Sequence, residues 1–144
     1  MLPHTLDQHF KLRTENGMDQ IWDPCRKLWV AHTPEEEVRQ RLVQHLHHER
    51  GIALSRIGVE KEIAYYGTRK RFDVLVFDPS GNPWLLAECK APSVPLSQEV
   101  LYQIGRYNSE LKAPHMLVTN GNTLLFFTRE ANGRYRFCKN GWYD

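Results

Sequence analysis

Asp73, Glu88 and Lys90 are the residues whose types and spacing could do chemistry. They lie in Arg71-Phe72-Asp73-Val74-Leu75-Val76-Phe77 and Trp84-Leu85-Leu86-Ala87-Glu88-Cys89-Lys90, two apolar runs separated by Asp78-Pro79-Ser80-Gly81-Asn82-Pro83. The separating segment is turn chemistry throughout, so the runs read as the two strands of a hairpin. A charge inside an apolar strand is costly unless something pairs with it. Side chains alternate faces along a strand. Trp84, Leu86, Glu88 and Lys90 therefore share a face of one strand, and Asp73, Leu75 and Phe77 a face of the other. The turn can bring Asp73 and Glu88 to the same side. Two carboxylates and a backbone carbonyl, such as that of Cys89, form a hard-oxygen site of the kind Mg²⁺ takes while keeping several waters. Lys90 beside them could orient or activate a water, or steady charge on a phosphate. A metal there would lower the pKa of its bound water and polarise a phosphoryl oxygen. This is equipment for hydrolysing a phosphodiester. The plain alternative makes the acids surface charges of an edge strand and Lys90 a strand-end gatekeeper.

The elements that must position these residues follow from the pattern. Thr33-Pro34-Glu35-Glu36-Glu37 starts a helix, with Thr33 as cap, Pro34 in the first turn and acids complementing the helix dipole. Val38, Leu42 and Leu46 continue it as a stripe, and Gly51 stops it. Ile57 to Tyr65 reads as a strand, Gly67 as a turn, Phe72 to Phe77 and Trp84 to Cys89 as further strands. A helix runs from Leu96 or Ser97 through Leu111, with Val100, Ile104, Tyr107 and Leu111 on one stripe. Met116 to Thr119 and Leu124 to Thr128 flank an Asn120-Gly121-Asn122 hairpin turn, and Tyr135 to Trp142 supplies an edge strand. Helix, three strands, helix and two or three strands make a mixed α/β fold around one sheet. Residues 1–20 are polar and read as a loose arm or one short helix. Ile21 to Val30 reads as an extended lead-in, and 21–144 as a single domain.

Composition narrows the function class. At 144 residues the chain has the length of one ordinary domain. With 19 Lys and Arg against 17 Asp and Glu, the net charge of +2 does not announce a nucleic-acid binder. Local patches decide that question, and Arg69, Lys70 and Arg71 form one directly before Asp73. The three cysteines form no CxxC pair, which argues against a disulfide framework or a zinc knuckle. Cys89 is opposite the Glu88 face and reads as core. His45, His47 and His48 spread around a helix instead of converging on a metal. No apolar run approaches the ~20 residues of a membrane helix, and Met1 to Phe10 has no apolar signal core, so a cytoplasmic location is expected. No Gly-rich phosphate loop points to ATP.

Asp73 followed by Glu88-Cys89-Lys90 resembles the PD-(D/E)xK nuclease motif, with Phe72 where a proline is usual. Asp23-Pro24, Arg26-Lys27, Thr33-Pro34-Glu35-Glu36, Val38-Arg39-Gln40, Glu60-Lys61, Ala91-Pro92, Gln103 to Tyr107 and Thr119-Asn120-Gly121 extend the likeness. Over roughly residues 20–128 the chain resembles the amino-terminal domain of type I restriction enzyme R subunits. The resemblance implies a restriction-endonuclease-like α-β-β-β-α-β core, with a central mixed sheet flanked by helices. It implies hydrolysis of DNA with Mg²⁺, for which Mn²⁺ can substitute. Asp73, Glu88 and the Cys89 carbonyl would hold the metal, and Lys90 would serve the water. Such nucleases often add a helical glutamate: Glu35 falls within the apolar stripe and is expected inward, Glu36 is the second choice, and Glu37 faces outward. Gln103 and Tyr107, one helical turn apart, are similar to the Gln-x-x-x-Tyr of RecB-type nucleases and would support the site. Arg106 is expected at a phosphate. The expected partner is DNA. Other restriction or repair subunits and a second copy of the chain are further candidates, and no membrane is involved. The alternative function is a noncatalytic nucleic-acid-binding or assembly module that keeps the fold.

Overall fold

The computed structural model describes residues 1–65, 67–139 and 142, with the backbone alone at Tyr65 and Thr68. Two sheets and two α-helices organise the described residues. Strands β1 (Leu12–Glu15), β2 (Met18–Asp23) and β3 (Leu28–Ala31) form a small antiparallel sheet in that order. Helix α1 (Pro34–Gln44) follows, extended by a π-helical turn at His45–Glu49. The main sheet runs β4 (Ile57–Tyr65), β5 (Thr68–Phe77), β6 (Pro83–Cys89), β7 (His115–Thr119), β8 (Leu124–Arg129) and β9 (Tyr135–Phe137), each beside the next. Helix α2 (Gln98–Leu111) connects β6 to β7. That crossover makes β6 and β7 parallel, while tight turns leave the other neighbours antiparallel.

The continuous apolar runs of β5 and β6 are explained by burial on both faces. Val74, Val76, Leu85 and Ala87 pack with Val38 and Leu42 of α1 and Leu46 of the π-helical turn. Leu75, Leu86 and Val118 pack with Ile104 and Leu111 of α2. Both helix starts behave as expected: the Thr33 hydroxyl accepts from the Glu36 N–H, and Ser97 accepts from that of Val100. Gly51 takes a left-handed φ of 70° just past the π-helical turn. The mixed α/β sheet with flanking helices is thus as the sequence predicts, and all three cysteines are free.

Residues 1–20 differ from the expectation of an arm or a single short helix. A 3₁₀ turn at His4–His9 is followed by the β1–β2 hairpin. Its turn is Asn16-Gly17, with φ of 52° and 77°, the left-handed pair that a two-residue hairpin requires. The lead-in expected over Ile21 to Val30 is instead the end of β2, a turn and most of β3. β5 starts at Thr68, four residues before the expected Phe72. Of the expected edge strand up to Trp142, Tyr135–Phe137 pairs with β8, and residues 140 and 141 lie outside the described residues.

The amino-terminal segment covers α1. The Leu2 N–H donates to the Gly121 carbonyl, and Arg41, 2% exposed, donates to both Asp7 oxygens at 2.8 and 3.1 Å. Residues Val38 through Gln44 are all buried, so α1 has no solvent face over that length. Gly121 sits where this cover meets the β7–β8 turn. Its φ is 89°, and an added Cβ would lie 3.3 Å from Val38 Cγ2. Gly17 has a similar φ but open space around it. Gly17→Ala should therefore cost about 1 kcal/mol from backbone strain alone, and Gly121→Ala about 2 kcal/mol or more. Urea midpoints of the two variants check this; equal losses would show that the Val38 contact is immaterial.

Candidate active site

The site forms where regular pleating fails. β4 and β5 pair Val59 with Val74 and Lys61 with Phe72, which leaves Glu60 against Asp73. Glu60 has a left-handed φ of 54°, uncommon for a residue with a side chain and unusual within a strand. Phe72 and Val74, which a regular strand would put on one face, belong to opposite core clusters. The break lets the Asp73 side chain turn into the sheet. Its Oδ2 accepts from the Cys89 backbone N–H at 2.6 Å, and its Oδ1 from Arg39 Nε at 2.5 Å. Register also shifts between Val76 and Phe77. As a result Trp84, expected on the Glu88 face, packs on the α1 side instead.

A polar cleft of about 190 Å³ gathers the expected residues. β5 contributes Asp73 and Arg71; the carboxyl end of β6 contributes Glu88 and, just beyond it, Lys90. Lys90 Nζ lies 3.5 Å from Glu88 Oε1, and its backbone N–H donates to the Thr119 carbonyl, extending the parallel pairing. Crevices outside the carboxyl ends of parallel strands are the usual ligand sites of such sheets. From α2, Gln103 Nε2 donates to the Tyr107 hydroxyl at 3.3 Å, and both line the cleft. The Tyr107 ring stands edge-on to Phe72. Glu35, Arg39 and Glu60 complete the lining.

Other placements depart from expectation. Glu35 reaches the cleft but is 47% exposed, whereas Glu36 is 8% exposed and bonded to Arg26, Arg39 and Gln40. Glu37, expected outward, bonds His32 and Arg41. α1 is buried on a second face under the amino-terminal cover, so the stripe of Val38, Leu42 and Leu46 does not decide which glutamate points inward. Arg106 does not line the cleft. It borders a separate apolar groove of about 440 Å³, with Leu101, Ile104, Met116 and Phe127, and no acid lines that groove. Arg106 is about a quarter-turn from Tyr107, which aims it elsewhere. The run 69–71 is split as well: Arg71 pairs with Glu60, Lys70 with Glu110 at 2.7 Å, and Arg69 with Glu62 at 3.8 Å.

The sequence pattern of the family described as type I restriction enzyme R protein N terminus (HSDR_N) matches residues 34–140. The chain belongs to this family. No curated protein matches it. Every cleft residue named above falls within the family match, and β1–β3 precede it.

Two cleft residues, Arg39 and Glu60, figure in the sequence only as part of the family likeness and had no expected role in the site. Arg39 Nη1 bonds Glu36 Oε1 at 2.8 Å and Nη2 bonds Glu60 Oε1 at 3.0 Å, besides the Asp73 contact. The available signal was an arginine between Val38 and Leu42, three and four residues after two glutamates. A buried cation there demands partners.

Burial pushes the Asp73 carboxyl above its usual range, against the pull of Arg39 and the Cys89 N–H. Burial, then the charge of Asp73, pushes Glu88 up to about 7 despite Lys90. Burial raises the Cys89 thiol well above its ordinary value, which leaves no thiolate nucleophile. Among the described residues, no three His, Cys, Asp or Glu side chains close on one point to hold a metal. The ligand atoms that Asp73, Glu88 and Glu35 bring to the cleft are carboxylate oxygens, and a carboxyl that resists ionisation alone suits a neighbouring cation. This donor set fits a hard ion that keeps several waters.

The sign of the Glu88 effect on stability is set by its raised value. Below about 4.5 the group is protonated in folded and unfolded chains alike. As pH rises to about 7 the unfolded chain ionises first, so the fold loses stability, and above that the loss is complete. Glu88→Gln removes this dependence. Without added metal, the variant should gain on the wild type by on the order of 3 kcal/mol across that window. Denaturant melts at several pH values measure it; a constant difference would contradict the burial argument.

Proposed function

We propose that this chain is a metal-dependent nuclease acting on DNA, related in role to the restriction enzyme R proteins of its family. One observation carries the reading: Asp73, Glu88, Lys90, Gln103 and Tyr107, drawn from two strands and a helix, line one polar cleft in a member of that family. Asp73, Glu88, the Cys89 carbonyl and Glu35 are the groups that would hold Mg²⁺, with Mn²⁺ as a substitute. The ion, when bound, would acidify a water and polarise the phosphoryl oxygen. Lys90 would orient that water and take part in its proton transfer. Gln103 and Tyr107 would support Lys90 and the scissile phosphate. Arg71, at the cleft edge, and Lys70 and Arg69 further along β5 would meet neighbouring phosphates. DNA and the other subunits of a restriction system are the partners this reading supports. Among the described residues, no helix is long and apolar enough to cross a membrane.

A second reading, a DNA-binding or assembly module that does not cut, is favoured by one observation. Both Asp73 oxygens are already bonded, to Arg39 and to the Cys89 N–H. Purified protein should cleave DNA with Mg²⁺ or Mn²⁺. Asp73→Asn, Glu88→Gln and Lys90→Met should each lower the rate at least ~100-fold while retaining DNA binding in a gel shift. Metal-indifferent DNA binding without cleavage of linear, supercoiled or single-stranded DNA would support the module and sink the nuclease.

A further inference from the structure

The Arg39 guanidinium is engaged at all three nitrogens. Nε meets Asp73 Oδ1, Nη1 meets Glu36 Oε1, and Nη2 meets Glu60 Oε1. Glu36 Oε1 also accepts from Arg26 Nη2 at 2.8 Å, and Arg26 Nε pairs with Asp23, whose side chain is fully buried. Acid and base thus alternate from the end of β2 to the cleft: Asp23, Arg26, Glu36, Arg39, Asp73. A guanidinium stays charged at any pH the fold survives. It therefore offers Asp73 a permanent positive partner at the carboxylate that the nuclease reading gives to a metal.

We propose that Arg39 is a resident cation that competes with the divalent metal for Asp73 and keeps the metal affinity of the DNA-free protein low. This rests on the nuclease reading of the cleft. A divalent ion brings twice the charge of Arg39, but it must take Asp73 Oδ1 from Arg39 Nε or sit against its repulsion. Arg39 can give up that one contact because Glu36 and Glu60 still hold its other two nitrogens. Removing Arg39 takes away the competitor and leaves the negative charge of Asp73 unmatched. Metal loading is then coupled to substrate: a DNA phosphate entering the cleft adds the negative charge that tips the balance toward the ion.

The test is Mn²⁺ binding by calorimetry without DNA, on the wild type, Arg39→Gln and the charge-balanced pair Arg39→Gln with Glu36→Gln, each checked for folding by circular dichroism. Either folded variant should bind Mn²⁺ at least ~10-fold more tightly than the wild type. Unchanged or weaker binding overturns the proposal and makes Arg39 a group that holds Asp73 in place for the metal. A second measurement needs no variant. The ¹⁵N-detected Nε–Hε signal of Arg39 in the wild type should shift with Mg²⁺ and saturate along the binding curve. A signal that stays fixed while calorimetry shows saturation overturns it equally. No metal binding by any of the proteins, with or without DNA, would instead remove the metal-dependent reading itself, and this inference with it.

Discussion

A single positive charge, that of Arg39, must be neutralised away from water, and much of the local geometry follows from that requirement. Burial works against the guanidinium charge, and Asp73 and Glu36 outweigh it. An ion taken out of water costs several kcal/mol unless its partners are well placed. Here they come from three elements: Glu36 from α1 itself, Glu60 from β4 and Asp73 from β5. Meeting one guanidinium fixes the first turns of α1 against β4 and β5. It also accounts for keeping Glu60 in a left-handed conformation and for the break in pleating at Asp73. Backbone departures of this kind persist where surrounding contacts over-determine them.

Much of this architecture is legible in the sequence because apolar periodicity reports burial. Val38, Leu42 and Leu46 marked α1, and Ile104 and Leu111 marked α2. The turn over 78–83 announced the hairpin that sets β5 beside β6. The convergence of Asp73, Glu88 and Lys90 was legible because charges in apolar strands are anomalies. What escaped was set by contacts distant in sequence. Glu36 displaces Glu35 from the interior because Arg26 waits under the helix, ten residues upstream. Trp84 changes face because of a register shift that parity counting cannot anticipate. The small sheet was missed although Asn16-Gly17 signalled its hairpin, because β1 is exposed along its whole length and shows no alternation. The separate courses of Arg69, Lys70 and Arg71 reflect acids on β4 and α2 that no local reading of that run contains.

The apolar groove beside α2 and the polar cleft divide the work between stability and chemistry in opposite ways. The larger groove beside α2 is apolar and has no acid on its lining. The smaller cleft carries the two carboxyls whose values are raised, Asp73 and Glu88, and is poor in apolar surface. Volume alone would favour the groove as the default ligand site. Titration behaviour points to the cleft, where burial and like charge raise Asp73 and Glu88 together. Those raised values oppose folding, so the cleft is maintained at the expense of the surrounding core.

The family match and the unit that folds do not share a boundary in this chain. The family match begins at Pro34, yet Arg41 is neutralised by Asp7, Glu36 is held partly by Arg26, and Leu2 is tied to the turn at Gly121. A fragment cut at the edge of the match would carry α1 with one side stripped and two buried charges short of a partner. The 3₁₀ turn at His4–His9 and the turn between β2 and β3 thus act as the missing half of that helix's environment.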